Sequence, residues 1–441
     1  MYPTPILWFE IAIAALIGVS FLCSKVEYAL FLYGLALGFP DCAFPLGTTI
    51  NIRVDDVLIL FFLARMVLWS PTPPTSKQKK IFLWQGFFLA VCLLSIAMET
   101  ARGNPPAGYE EAKLFGCVAI FIVLPQIVQS ERRLRFLLGG LMCGGVALVI
   151  QVHQHLGENS ANNFANFQQL KSAATFDTWN PNTIGQAAVL LVFAASLCGM
   201  VFPKTMISRI LWPMLAMGFA LVPVSLFVRG TSLSIAAGIF VFLFLTRQRK
   251  WLLVFVLVSL CAVGYLHSRD GRLVQGATAV NLETGEGFSD RFERWKMALR
   301  AIQSEPLFGQ GFGQELAYLT QIGSEGRAHD AYLTVWLELG VGGLFLMLSA
   351  IFQFARAGWS LYGNPRFLYQ GALILALTIA LSLDSLALST LNWEKLPTIA
   401  LSLAIAVVGL CERSEREIAV GETRSSALDV YSQWSKFPHF F

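Results

Sequence analysis

The chain has 441 residues, of which 55% are hydrophobic and only 14% charged, with a net charge of +4 and a mean hydropathy of +0.60. That balance excludes a soluble globular domain, and so small a charge spread over many short loops gives no bulk signal for nucleic acid or another acidic partner. Repeated apolar stretches of bilayer length, without the period-two alternation of barrel strands, predict an all-α polytopic membrane protein, because lipid leaves each spanning segment to satisfy its own backbone.

In chain order, apolar segments fall near residues 6–23, 26–39, 54–69, 81–98, 114–128, 134–152, 184–202, 208–228, 231–246, 250–266, 331–355, 367–389 and 396–411. They predict 12 or 13 transmembrane helices, the first two segments deciding between the numbers. The amino terminus has no basic region and no small-residue cleavage site, so it reads as a retained first helix. Basic residues cluster in alternate connections: Lys77, Lys79 and Lys80; Arg132, Arg133 and Arg135; Lys204 and Arg209; Arg247, Arg249 and Lys250; Arg356 and Arg366; Arg413 and Arg416. By the positive-inside rule these are cytoplasmic, which puts 99–113, 151–183, the turn at Arg229, 267–330 and 390–395 on the outer side. The expected organisation is one transmembrane domain over 1–411, with a large outer loop at 267–330, and a cytoplasmic tail at 412–441. Of the eight cysteines, Cys42 alone sits in a short loop and the rest lie in or beside apolar runs, so neither a disulfide framework nor a zinc site is indicated.

The outer loop carries most of the polarity. Ser289 or Asp290 can cap a helix, Glu293 can answer Asp290, and Pro306 marks its end. Phe292, Trp295, Leu299 and Ile302 share one face, which predicts an amphipathic helix lying on the membrane surface or on the bundle. Its cations are Arg291, Arg294, Lys296 and Arg300. The last three read equally as a solvated basic face or as charges facing a ligand, whereas Arg291, one turn before Trp295 at the helix entrance, is the better placed to be aimed. GQGFG (309–313) has no preceding strand and reads as a turn, not as a nucleotide-binding loop.

Arg229, in Val228-Arg229-Gly230-Thr231, stands where two apolar helices meet with almost no loop. An arginine there either snorkels to the surface or binds an anion at a cavity mouth, and Gly230, Thr231 and Ser232 add donors suited to phosphate. His329 follows Arg327 and precedes the span beginning at Ala331, where an imidazole can accept a proton near neutral pH. Asp330, Glu315, Glu325 and Glu338 are competing bases. Gly340, Gly342 and Gly343 are explained by close helix packing. Arg53, Asp55 and Asp56 at the outer start of a span, and Asp384 within one, are further charges at or in the membrane.

His329-Asp330, followed by Gly340-Val341-Gly342-Gly343, resembles the histidine and GxxG pattern of the O-antigen ligases, and the polymerases of that superfamily have a similar histidine stretch. Arg291 with Trp295, Glu305-Pro306-Leu307-Phe308-Gly309-Gln310-Gly311, Asn180-Pro181-Asn182 and Val228-Arg229-Gly230 match the family's loose signatures in the same order. Asp330 stands where ligases usually have Asn, Ser or Gln, and Leu344 where threonine is common. The resemblance covers roughly residues 180–345.

The resemblance implies a GT-C-like membrane glycosyltransferase of the bacterial plasma membrane, active on its outer face. The donor would be a glycan on undecaprenyl diphosphate, and the acceptor a hydroxyl on lipid A-core for a ligase or on another lipid-linked repeat for a polymerase. Arg229, Arg291 and His329 would be catalytic, with Arg294, Arg53, Arg327 and Asp330 also in the substrate site, and no metal or other cofactor is implied. The rival reading is a small-anion (bicarbonate) transporter, which would place its charges near mid-membrane.

Overall fold

The computed structural model describes residues 25–38, 43–46, 50–68, 73–104, 108–160, 181–203, 205–226, 228–254, 256–257, 288–324, 326–387 and 395–420. The expected first span at 6–23, most of 151–183 and 250–266, the first part of the outer loop, Asn180, Glu325 and the tail beyond 420 lie outside the described residues.

The protein is a polytopic helical bundle. Its elements are α1 (Val26–Ala36), β1 (Ala43–Leu46), β2 (Ile50–Arg53), α2 (Val54–Leu68), α3 (Ser76–Ala101), α4 (Gly108–Ile127), α5 (Glu131–Ser160), α6 (Pro181–Val201), α7 (Met206–Ser225), α8 (Arg229–Leu245), α9 (Phe288–Ser304), α10 (Glu315–Gln321), α11 (Ala331–Tyr362), α12 (Leu368–Ala387) and α13 (Lys395–Val420). Every expected span from residue 26 onward falls on one of these helices, apart from 250–266. Among the described residues, seven helices are long and apolar enough to cross a membrane, and three shorter apolar helices accompany them.

One departure from the all-helical expectation is a small antiparallel hairpin, β1–β2, with Ala43 opposite Arg53 and Leu46 opposite Ile50. Pro45 interrupts any helix there, and the β-branched Ile50 and Ile52 favour the extended backbone of β2. The hairpin delivers Arg53 directly to the start of α2.

Two small-residue pairs bring α1 onto α5. Gly34 and Gly38 face Gly140 and Gly144, where an added methyl group at Gly34 would come 2.6 Å from the Leu141 nitrogen and one at Gly144 2.7 Å from the Leu35 carbonyl oxygen. Such spacing lets backbones touch, the means by which helices associate in lipid, where no hydrophobic driving force exists. The main core joins buried side chains of α1, α2, α4, α5, α6, α12 and α13, including Leu30, Leu124, Leu137, Ile184, Ala194, Leu381 and Ile399.

The polar contacts gather at the two ends of the bundle. At one end Glu412 accepts the Lys77 backbone N–H at 3.0 Å, Asn364 donates to Glu415 at 2.7 Å and the Tyr362 hydroxyl donates to the Leu245 carbonyl at 3.0 Å. These tie together the start of α3 and the ends of α8, α11 and α13, the termini that the basic residues group on one side. Helix α13 continues past residue 411 to Val420. The opposite end holds the starts of α8 and α11 and the ends of α3 and α12, and it is there that the candidate site lies.

Candidate functional site

His329 stands at the mouth of α11, half-buried, with φ at 54° in the left-handed region. That conformation is uncommon outside glycine and costs energy, so the surroundings must hold it. Asp330 is the N-cap of α11, 5% exposed, and its carboxylate accepts the Leu333 backbone N–H at 2.9 Å. On the other side of His329, the Ala328 N–H donates to Glu315 Oε1 at 2.9 Å, and the Ala328 carbonyl accepts the Trp295 indole N–H at 3.0 Å. The strip around the histidine is therefore fastened to α9, α10 and α11.

Helix α9 lies on the bundle and not apart from it. Its buried face is Ala298, Ala301 and Ile302, packed with Leu319, Ala328 and Leu337, and with Trp295 partly buried beside them. Two details of the sequence expectation change. The helix begins at Phe288, so Ser289 and Asp290 lie inside its first turn and are not its cap. Phe292 and Leu299 are exposed, at 52% and 42%, because the alanines give α11 closer access than large side chains would. Arg291 is half-buried and one turn before Trp295, on the same face. The Arg294 guanidinium packs on Gly326, where an added methyl would come 3.3 Å from its Nη1, and the half-buried Arg327 is next in the chain. A Trp295→Phe substitution keeps the packing and removes the indole donor. It is expected to weaken docking of α9 by about 1 kcal/mol, seen as roughly fivefold faster proteolysis within residues 288–324.

Arg229 is the first residue of α8, with Val228 as its N-cap. Two residues on, the Thr231 hydroxyl donates to Asp384 Oδ1 at 2.7 Å, and Asp384 is fully buried. On the same stretch of α12, the Ser382 carbonyl accepts the Tyr332 hydroxyl at 3.0 Å. Thus α12 gathers the start of α8, with Arg229, and the start of α11, with His329, around one turn. Asp384, weighed from sequence as a membrane-embedded charge, is a tie between helices. Arg53 closes the hairpin, opposite Ala43, beside α2, whose Asp56 pairs with Lys395 at the start of α13.

The glycines of α11 do something the sequence reading missed. Gly340 has φ 69° and ψ −170° in the middle of the helix, breaking it. The chain from Pro306 to Gly313 inserts at that break. The Gln310 N–H donates to the Leu337 carbonyl at 2.7 Å, the Gly311 N–H to the Glu338 carbonyl at 3.0 Å, and the Val341 N–H to the Pro306 carbonyl at 3.0 Å. Helix groups orphaned by the break are thereby satisfied within a bilayer-length segment. The contact is between a loop backbone and a helix backbone, not between two helices as the spacing suggested. An added methyl at Gly309 would lie 2.6 Å from the Glu338 carbonyl oxygen. GQGFG is a turn, as expected, and it is also bound to α3 through the Phe312 N–H and Ser95 Oγ at 2.9 Å.

Burial raises the Asp330 carboxyl above its ordinary value, against the lowering effect of the N–H donors of Leu333 and Tyr332. A folded-state value above the unfolded one means that Asp330 opposes folding increasingly as pH rises through the carboxylate range, and does not do so below it. Asp330→Asn keeps the capping acceptor without the charge. It is expected to melt with the wild type at low pH and above it at neutral pH, measured by thermal unfolding in detergent.

Beside the site, helices α3, α4, α11, α12 and α13 enclose a mostly apolar cavity of about 340 Å³, lined by Phe88, Leu89, Phe121, Met347, Phe354 and Leu381 among others and reaching Ser382. Among the described residues no group of three or more His, Cys, Asp or Glu could hold a metal ion. Residues 219–348, from the middle of α7 through the break in α11, match the family model described as O-antigen ligase. No curated protein matches the chain.

Proposed function

From the match of residues 219–348 to the O-antigen ligase family model, we propose that this membrane protein is an enzyme that moves a glycan from undecaprenyl diphosphate to an acceptor hydroxyl on lipid A-core or another surface glycan, at the outer face of the bacterial plasma membrane. The observation that carries the reading is the gathering of the α8 and α11 starts around Ser382 and Asp384, with α9 fastened to the strip before His329. The starts of α8 and α11 share one turn of α12, α9 is tied to the strip before His329, and the apolar cavity reaches that turn at Ser382.

The leaving group is a prenyl diphosphate, which needs positive charge more than a proton. Arginines stay ionised next to lipid and grip phosphate oxygens in pairs. In this reading Arg229 and Arg291 hold the diphosphate and offset the charge that grows as the glycosidic bond breaks. Arg294 and Arg327 add to the positive field, and Arg53 is a further candidate for the same role. His329 orients the acceptor hydroxyl and takes its proton as the oxygen attacks the anomeric carbon. The cavity offers the prenyl chain an apolar bed. A single direct displacement, with inversion, is the reaction these roles describe.

Lipid-linked glycan in a strain lacking the protein tests the function. Loss of a ligase leaves long polymer on the carrier, and that is the expected result. Single repeats would identify the polymerase of the same superfamily instead, and an unchanged carrier pool would contradict glycan transfer altogether.

A further inference from the structure

We propose that Glu315 is the positioning residue for His329, an inference that rests on reading His329 as the group that meets the acceptor. Glu315 is 1% exposed and is the first residue of the short helix α10. Its Oε1 accepts the Ala328 N–H at 2.9 Å and lies 3.0 Å from the Thr334 hydroxyl. Those two partners bracket the histidine, one directly before it and one a turn into α11. The Thr334 hydroxyl also lies 2.8 Å from the Asp330 carbonyl, so one hydrogen is shared by the acid and the backbone immediately after the histidine.

The need for such a clamp follows from the backbone. His329 is held at φ 54°, a conformation an L residue leaves unless its neighbours are fixed. A buried carboxylate makes hydrogen bonds stronger than a neutral acceptor does. Glu315 Oε1 holds the preceding neighbour directly, through the Ala328 N–H, and reaches the following one through the Thr334 hydroxyl that it shares with the Asp330 carbonyl. Glu315 is in turn fixed to the break in α11, since its own N–H donates to Glu338 Oε1 at 3.3 Å. The imidazole is thus aimed from the rigid bundle through Glu338, Glu315 and Ala328, although it stands in irregular chain. Catalytic side chains need this kind of support, because small misplacements cost large factors in rate.

The test is glycan transfer per mole of protein in host membranes, with extracted lipid-linked glycan as donor. Glu315→Ala is expected to lower kcat about 30-fold or more with donor KM within about threefold. Glu315→Gln, which keeps an acceptor at Oε1, restores transfer to within about fivefold of wild type. Combining Glu315→Ala with His329→Ala gives a rate no lower than His329→Ala alone, because a residue acting through the histidine has nothing further to lose. Wild-type transfer by Glu315→Ala, a glutamine variant as impaired as the alanine one, or losses that multiply in the pair would each overturn the proposal. Should Glu315→Ala be missing from membranes, Thr334→Val decides: a fall of about threefold to tenfold supports the clamp, and an unchanged rate refutes it. A fully active His329→Ala would remove the reading of His329 itself, whereas an inactive His329→Ala beside a normal Glu315→Ala removes only the role of Glu315.

Discussion

His329→Ala is expected to lower glycan transfer about 100-fold or more at an unchanged protein level, the usual contribution of a positioned general base. The side chain is half-buried, sits at a helix mouth and makes up no part of the packed core, so its removal costs chemistry before stability. Arg291→Ala and Arg229→Ala should fall comparably, but for a different reason: in the proposed mechanism each takes away charge that is worth most when the diphosphate leaves. Lysine separates the cases. It retains charge and loses the paired grip on phosphate, so Arg291→Lys should recover part of the rate, whereas no cation replaces the proton acceptor at 329. Transfer in isolated membranes, normalised to protein, reads all of these, and full activity in all three alanine variants would remove the mechanism.

Gly340→Ala is expected to be severely damaging for a single added methyl group. The backbone at φ 69° and ψ −170° is in a region that is in effect open to glycine alone. The added carbon would overlap the Leu307 carbonyl oxygen and lie 2.7 Å from the Phe308 nitrogen. Either the helix straightens and expels the loop, or the loop shifts and loses its bonds to Leu337, Glu338 and Val341 together. Both outcomes release the segment that carries Glu315 and the strip before His329. The expected result is a loss of about 3 kcal/mol or more in stability, read by melting in detergent, with transfer reduced as far as in His329→Ala. Gly342→Ala is the control. An added carbon there meets nothing within 4 Å, so that variant should melt and transfer as the wild type does.

The spans were legible because hydropathy over a bilayer length is a sum that no single residue spoils. The grouping of helix termini was legible too, since Lys77 in the first turn of α3, and Arg247 and Arg366 in connections, lie at helix ends that Glu412, Tyr362 and Glu415 tie together. The existence of α9 and its stop before Pro306 came from periodicity. Its buried face did not, because large side chains weigh more in such a count than the alanines at 298 and 301 that in fact make the contact. The hairpin strands within 43–53 were hidden by their shortness in a connection between two apolar segments.

The site was legible as residue types and not as an assembly. His329, Arg291 and Arg229 stood out as polar groups at the edges of apolar segments. What ties them was invisible: Asp384 looked like a charge in a membrane and is the partner of Thr231. Glu315 was one of four carboxylates near the histidine, with nothing in the sequence to separate it from the others. Gly340 could be read only as a small residue, since a backbone torsion has no trace in a single sequence. The spacing of Gly309, Gly311 and Gly313 before a glycine inside the next apolar span is the signal that points to the inserted loop.

Reconstitution in proteoliposomes tests the central claim most directly. With a glycan on undecaprenyl diphosphate as donor and a hydroxyl-bearing surface glycolipid as acceptor, the account predicts that glycan appears on the acceptor while undecaprenyl diphosphate is released in equal amount. Donor that stays intact in the presence of folded protein and both substrates would contradict it.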